Sequence, residues 1–265
     1  MEKTDIHIVG LGNLGTAFIN GLSNVKAGIN LYLYDESFEV RKLIKENFSL
    51  KALDEISLID KGVVILCIKP QNIKNYLEKN KEKIGKNILI CSPVAGLEIK
   101  TIEHYVKNPI IRIMPNLLIR ENNGFIPYVS NYEGDYLSFV KKVLHKLGSV
   151  KEFEESMFPI ITAISGSGPA WFYELSHQLV NAGYKLGLDI EESEMIIKEI
   201  VKALPGLVSE DETFKNLVDK VKSPQGTTEA GLNSLDNDSF DKIILEAIQK
   251  ATQRSVDISR ELDNE

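Results

Sequence analysis

Ile6-His7-Ile8-Val9-Gly10-Leu11-Gly12-Asn13-Leu14-Gly15 carries the reading of the fold. Four apolar-dominated residues read as a strand. The next six match G-x-G-x-x-G, and Thr16 to Leu22 continue as a helix. The pattern is common in isolation and becomes specific between a strand and a helix. Gly10 permits the tight turn, Gly12 lets the backbone approach a pyrophosphate, and Gly15 lets the helix pack on the sheet. N–H groups at the helix start, aided by the helix dipole, favour the anion. A dinucleotide cofactor is therefore expected on Gly10, Leu11, Gly12, Asn13, Leu14 and Gly15; the alternative is an ordinary glycine-rich turn.

Working outward, Leu31 to Tyr34 reads as a second strand and Phe38 to Asn47 as a helix. Val63 to Ile68, Ile88 to Cys91 and Ile110 to Met114 are further strands, with Phe125 to Val129 as one more. Leu137, Val140, Leu144 and Leu147 place a helix within Tyr132 to Leu147. Apolar strands spaced by helices predict an α/β, Rossmann-type doubly wound parallel sheet covered on both faces. Beyond residue 155 the texture becomes helical. Trp171, Leu175, Leu179, Ala182 and Leu186 form one stripe, and Phe240, Ile243, Ile244, Ala247, Ile248 and Ala251 another. Gly183 and Gly187 offer stops, and Pro205 predicts a break near Leu204. The expected organisation is a dinucleotide-binding domain over residues 1–155 and an all-α domain over 156–265. So many wide apolar helix faces in about 110 residues point to a homodimer or higher homo-oligomer through this half.

Composition narrows the function classes. The 265 residues carry 31 Lys plus Arg against 38 Asp plus Glu, a net charge of −7. That balance argues against bulk binding to nucleic acid or anionic lipid. The longest apolar run near a strand, Val63 to Ile68, is far short of the roughly 20 residues that cross a bilayer. No signal-peptide pattern follows Met1. Two cysteines, Cys67 and Cys91, lie in apolar stretches and suit buried thiols in a reducing cytoplasm rather than a disulfide framework or a metal site.

Several polar residues sit where a ligand would lie. Asp35 ends the second strand, where a carboxylate accepts hydrogen bonds from the ribose hydroxyls of NADH and repels the 2′-phosphate of NADPH. NADH is thus favoured, unless Asp35 only caps the next helix or Arg41 or Lys42 folds back. Lys69, with Pro70 and Gln71, follows the strand Val63 to Ile68 and is placed to face the cofactor; a solvated turn lysine is the alternative. Ser92-Pro93-Val94-Ala95-Gly96 has small residues that suit the nicotinamide side or a plain turn. Ser165-Gly166-Ser167-Gly168-Pro169-Ala170 allows close backbone approach, to a ligand or in a helix junction. Ser223-Pro224-Gln225-Gly226-Thr227-Thr228 opens a helix whose hydroxyls and N–H groups suit a carboxylate, or form a simple cap.

Together with Arg112-Ile113-Met114-Pro115-Asn116, these stretches resemble, in this order and over nearly the whole chain, the pyrroline-5-carboxylate reductases. The resemblance implies reduction of the cyclic imine 1-pyrroline-5-carboxylate to L-proline by NAD(P)H. It also implies an interlocked dimer, with an active site between the domains and contributed across the dimer. Carried over, the cofactor contacts fall on Gly10 to Gly15, on Cys67, Ile68, Lys69 and Pro70, and on Val94 and Ala95. The carboxylate falls to Ser223 and the backbone around Gly226, Thr227 and Thr228, and the Thr228 hydroxyl to the ring nitrogen. The chain departs from the family at Gln225, where Gly is usual, and at Leu117-Leu118, where Thr-Pro is usual. Ser92-Pro93, Asp54 and His177 also differ. These departures suggest two alternatives, a relative acting on another cyclic imine and a dinucleotide-binding regulator without catalysis. A β-hydroxyacid dehydrogenase would carry a Lys with an Asn four residues on in the helical half; the matches Lys26/Asn30 and Lys83/Asn87 lie in the other half. His145 and His177 are titratable, but lone helix histidines are usually structural.

Overall fold

The computed structural model describes residues 3–23, 25, 28–209 and 211–264. Met1 and Lys26 lie outside the described residues. The chain divides into two compact units, Met1–Pro169 with Gln249–Glu265, and Ala170–Ile248.

The first unit alternates strands and helices: β1 (Thr4–Val9), α1 (Asn13–Ser23), β2 (Ile29–Tyr34), α2 (Phe38–Phe48), β3 (Ala52–Leu53), β4 (Val63–Leu66), α3 (Pro70–Asn80), β5 (Leu89–Ser92), α4 (Ile99–Glu103), β6 (Ile110–Ile113), β7 (Gly124–Ser130), α5 (Asp135–Leu144), β8 (Gly148–Glu152) and α6 (Phe158–Ile161). One sheet of eight strands runs β3-β2-β1-β4-β5-β6-β7-β8. Every pairing is parallel except β6 with β7. The strand order reverses at β1, with β2 on one side and β4 on the other. This is the switch point where doubly wound sheets bind ligands.

Side chains alternate across the sheet. Ile6, Ile8, Val63 and Ile65 join Phe18, Ile19 and Leu22 of α1 and Val140 and Leu144 of α5 in one core. Val9, Val64 and Leu66 join Ile73 and Leu77 of α3 and Ile102 of α4 in the other. β1 and β4 are thus apolar on both faces, as the sequence predicts. The helix expected within residues 132–147 is shorter, because Gly134 at φ 152° precedes it. Two strands escaped the sequence reading: β3, with only two residues, and β8, largely exposed.

The helices of the second unit continue the count: α7 (Gly168–Lys185), α8 (Ile190–Ala203), α9 (Phe214–Val221), α10 (Thr227–Asn237) and α11 (Phe240–Asn264). The division between units falls within α7 and α11. Pro205 sits in a 3₁₀ turn, Leu204–Leu207, directly after α8, where the break was expected. Gly183 does not stop α7. It lies inside the helix, where a Cβ would come within 2.3 Å of Ser193 Oγ. Gly187, at φ 105°, follows the helix end.

Among the described residues of 170–248, Val180 is the one apolar side chain that is buried. Trp171, Leu179, Ile196, Ile200, Phe214 and Ile243 are between 37% and 74% exposed. A helical unit without an apolar core of its own needs another surface to cover it.

Candidate active site

The glycine loop leaves β1 as the sequence requires. Gly10 has φ 87°, and a Cβ there would sit 2.4 Å from Cys67 O. A Cβ on Gly15 would sit 2.0 Å from Gly10 O, so this glycine lets α1 approach the loop. Gly12 differs: a Cβ there would meet nothing within 4 Å. The first and third glycines are thus demanded by packing. The second faces open space at the start of α1, which fits a cofactor pyrophosphate approaching there.

Asp35 follows β2 at the same end of the sheet. Its Oδ2 accepts from Leu11 N at 2.7 Å and its Oδ1 from Ser37 N at 2.9 Å. It does not cap α2. Ser37 does, accepting from Val40 N. Arg41 folds back, and its Nη1 donates to the carbonyl oxygens of Asp35 and Glu36, each at 2.8 Å. The same guanidinium lies 5.9 Å from the Phe38 ring centroid.

Cys67, Ile68, Lys69 and Pro70 follow β4. Cys67 N donates to Val9 O at 2.7 Å, which draws this segment against the glycine loop. Burial pushes the Cys67 and Cys91 thiols well up, which favours their protonated form. Lys69 stands exposed at the N-cap of α3 and makes no side-chain capping bond; Pro70 occupies the first turn. Val94 and Ala95 follow β5. Beside them Gly96, at φ 75°, packs against the end of α11, with Ser259 Oγ donating to Gly96 O at 2.6 Å. The expected cofactor residues therefore gather off the carboxyl ends of β1, β2, β4 and β5.

Arg112 on β6 is a buried cation in an otherwise apolar strand. It is 3% exposed, its Nη1 reaches Glu155 Oε1 at 2.8 Å, and its guanidinium lies 4.6 Å from the Phe158 ring centroid. Glu155 Oε1 also accepts from Ile99 N at 2.9 Å, while Arg112 Nε is buried without a partner. The signal was a lone charge in Ile110-Ile111-Arg112-Ile113, since a buried cation must be paired. The stretch from Ser165 begins in a π-helical turn, Thr162–Gly166, where Ser167 N donates to Thr162 O at 3.0 Å. Such turns recur at functional positions.

In the second unit, residues 223–228 form a tight turn into α10. Gly226 N donates to Ser223 O at 3.0 Å, and a Cβ on Gly226 would come within 2.3 Å of Ser223 Oγ. Gly226 therefore serves by its size, its own N–H being engaged. Gly226, the N-cap residue of α10, offers no side chain to the helix start, and the first-turn N–H groups at Thr227 and Thr228 have no intrahelical acceptor. Gln225 has φ 60°, the left-handed region that glycine occupies freely, and its N–H donates to Glu229 Oε2 at 2.8 Å. The departure from the usual glycine thus leaves the turn in a conformation glycine also adopts. Of the other singled-out residues, Asp54 accepts from the next residue's N–H, His145 follows α5, and His177 contacts Asn181 on the exposed face of α7 at 3.1 Å. Among the described residues, no cluster of potential ligands could hold a metal ion.

Residues 155–258 match the family model for pyrroline-5-carboxylate reductase dimerisation, and residues 5–96 match the model for NADP oxidoreductase, coenzyme F420-dependent. Pyrroline-5-carboxylate reductase 2 of Bacillus subtilis (strain 168) is 31% identical, covering 97% of this chain and 95% of its own length. The pyrroline-5-carboxylate reductase of Staphylococcus haemolyticus (strain JCSC1435) is 32% identical over 96% and 98%. The crystal structure of the Plasmodium falciparum pyrroline carboxylate reductase with NADP bound superposes with a TM-score of 0.83, at 28% identity over 98% of this chain and 99% of that one. A Rossmann sheet followed by a helical dimerisation segment, matched over nearly full length, places this chain in the pyrroline-5-carboxylate reductase family.

Proposed function

We propose that the chain is an NAD(P)H-dependent oxidoreductase that reduces the C=N bond of 1-pyrroline-5-carboxylate to give L-proline. The observation that carries the reading is the uncapped start of α10 behind Ser223, in a chain that also holds a glycine cradle open at Gly12. Residues 1–155 act as the dinucleotide region and 156–265 as the substrate and dimerisation region, a division by role that differs from the compact units, where residues 156–169 and 249–265 belong with the first. Family membership supports homo-oligomerisation through the helical segment. No described helix is long and apolar enough to cross a membrane. We place the protein in the cytoplasm, as its two free thiols suggest.

The cofactor, when bound, supplies a hydride to the imine carbon. Gly10 and Leu11, whose N–H groups are engaged by Tyr34 O and Asp35, would shape the cradle, and Gly12, Asn13, Leu14 and Gly15 would face its pyrophosphate; Asp35 would hold its adenosine ribose, and Cys67 to Pro70 with Val94 and Ala95 the remainder. Asp35 and Glu36 place negative charge at the end of β2, which favours NADH over NADPH; Arg41 folds back beside them with Nη1 committed to their carbonyl oxygens, so its cation lessens that preference. Ser223 and the N–H groups of Thr227 and Thr228 hold the substrate carboxylate, which fixes the ring face presented. The Thr228 hydroxyl hydrogen-bonds the ring nitrogen, where the C=N electron pair arrives. The imine binds already protonated from solvent, which makes it a better acceptor and brings the one proton the reduction consumes, so positioning and exclusion of water suffice without a dedicated general acid.

Thr228→Ala tests the assignment. Loss of one hydrogen bond to the reacting nitrogen is expected to lower kcat/KM for the imine roughly tenfold or more. The nucleotide KM should hold. Steady-state kinetics varying each substrate in turn decide; an unchanged kcat/KM for the imine removes Thr228 from the mechanism.

A further inference from the structure

Each polar atom of Asp35 is bonded within the chain. Its N–H donates to Leu53 O at 2.9 Å, its carbonyl accepts from Arg41 Nη1 at 2.8 Å, Oδ1 accepts from Ser37 N at 2.9 Å and Oδ2 from Leu11 N at 2.7 Å. Leu11 lies inside the glycine loop, 24 residues earlier, and its side chain is buried in the core. A carboxylate that only reads a ribose is free to turn. Turning this one strips the Leu11 N–H of its acceptor at a buried residue, which is costly.

We infer that Asp35 is a positioning residue of the phosphate cradle, fixing the Leu11 peptide and with it the turn of residues 10–15 for NADH and NADPH alike. The inference rests on the dinucleotide reading of that loop and deepens it. The Leu11 N–H is committed to Asp35, so the groups left for a pyrophosphate begin at Gly12, where a Cβ would meet open space. Charge assistance strengthens the bond. The two backbone N–H groups use two of about four acceptor positions on the carboxylate. The remaining positions serve the ribose hydroxyls, so the pinning role and the NADH preference are compatible.

Asp35→Asn separates the roles. Leu11 N and Ser37 N reach different oxygens, so an amide in the same place sets its NH₂ group against one of the two donors. The expected result is a rise in KM for both nucleotides, about tenfold for NADH and smaller for NADPH, whose 2′-phosphate loses a repulsion, with the imine KM changed by less than about twofold. If Asp35 only reads the ribose, NADH binding weakens while NADPH binding tightens, and that inversion overturns the inference. A second measurement needs no variant: amide hydrogen exchange on the nucleotide-free wild-type protein. Slow exchange at Leu11 supports the pin, and exchange at the rate of an open loop overturns it. A wild-type protein that binds neither nucleotide overturns the dinucleotide reading itself.

Discussion

At the scale of single residues, three glycines in one motif do different work. Gly10 and Gly15 are held by backbone oxygens within 2.4 Å of a would-be Cβ, whereas Gly12 faces open space. Gly15→Ala should therefore destabilise the fold, by roughly 2–4 kcal/mol on the scale of overpacking and strain. Gly12→Ala should leave the thermal midpoint nearly unchanged and raise the nucleotide KM, because its methyl group occupies the pyrophosphate's approach. Thermal melts paired with nucleotide titration check both. The motif's spacing and its place between strand and helix were legible in the sequence. The bond from Leu11 to Asp35 was not, because a backbone donor leaves no mark on residue type. Nor did residue type show that Gln225 would take a left-handed conformation; only the three-dimensional turn reveals why glycine is usual there.

At the scale of elements, β1 carries a buried titratable group. His7 stacks between Tyr32 and Tyr34 of β2, at centroid distances of 4.7 and 6.0 Å, and its Nδ1 lies 3.2 Å from the Tyr34 hydroxyl. Burial lowers its pKa from 6.5, outweighing the opposing pull of Asp5. The unfolded chain then binds the proton more readily than the folded one. Stability from this site is complete above about pH 6.5 and is lost as pH falls through the lower folded value. Denaturant unfolding across pH 7 to pH 5 should show that loss, and His7→Gln should flatten it; an equal acid slope in the variant contradicts the assignment. Continuous apolar runs made β1, β4, β5 and β6 readable. β8, Gly-Ser-Val-Lys-Glu, has no clean alternation because most of it faces solvent. Arg112 stood out in its strand, but its partner Glu155 lies 43 residues later, beyond the reach of any local pattern.

At the scale of the whole molecule, the two units differ in how they are stabilised. Both faces of the sheet have their own apolar core. The helical unit leaves most of its apolar side chains uncovered among the described residues. Association of copies through this surface makes stability depend on mass action. The thermal midpoint should rise with protein concentration, and Leu179→Asp should shift the sedimenting species to monomer with loss of helical signal. A concentration-independent midpoint and an unaltered oligomer would contradict this. Helix stripes in the sequence pointed to such a surface, and a switch from strands to helices suggested a boundary near residue 155. What no stripe conveys is how α7 and α11 are shared between the compact units.

The reaction proposed for this chain is hydride transfer to a cyclic imine that bears a carboxylate. Reduced nicotinamide cofactor deuterated on the transferring face, incubated with purified protein and 1-pyrroline-5-carboxylate, tests it directly by mass spectrometry of the product. The expected product is L-proline with one deuterium on the former imine carbon, formed in step with cofactor oxidation. Cofactor binding without imine-dependent oxidation, or proline formed without the label, would contradict it.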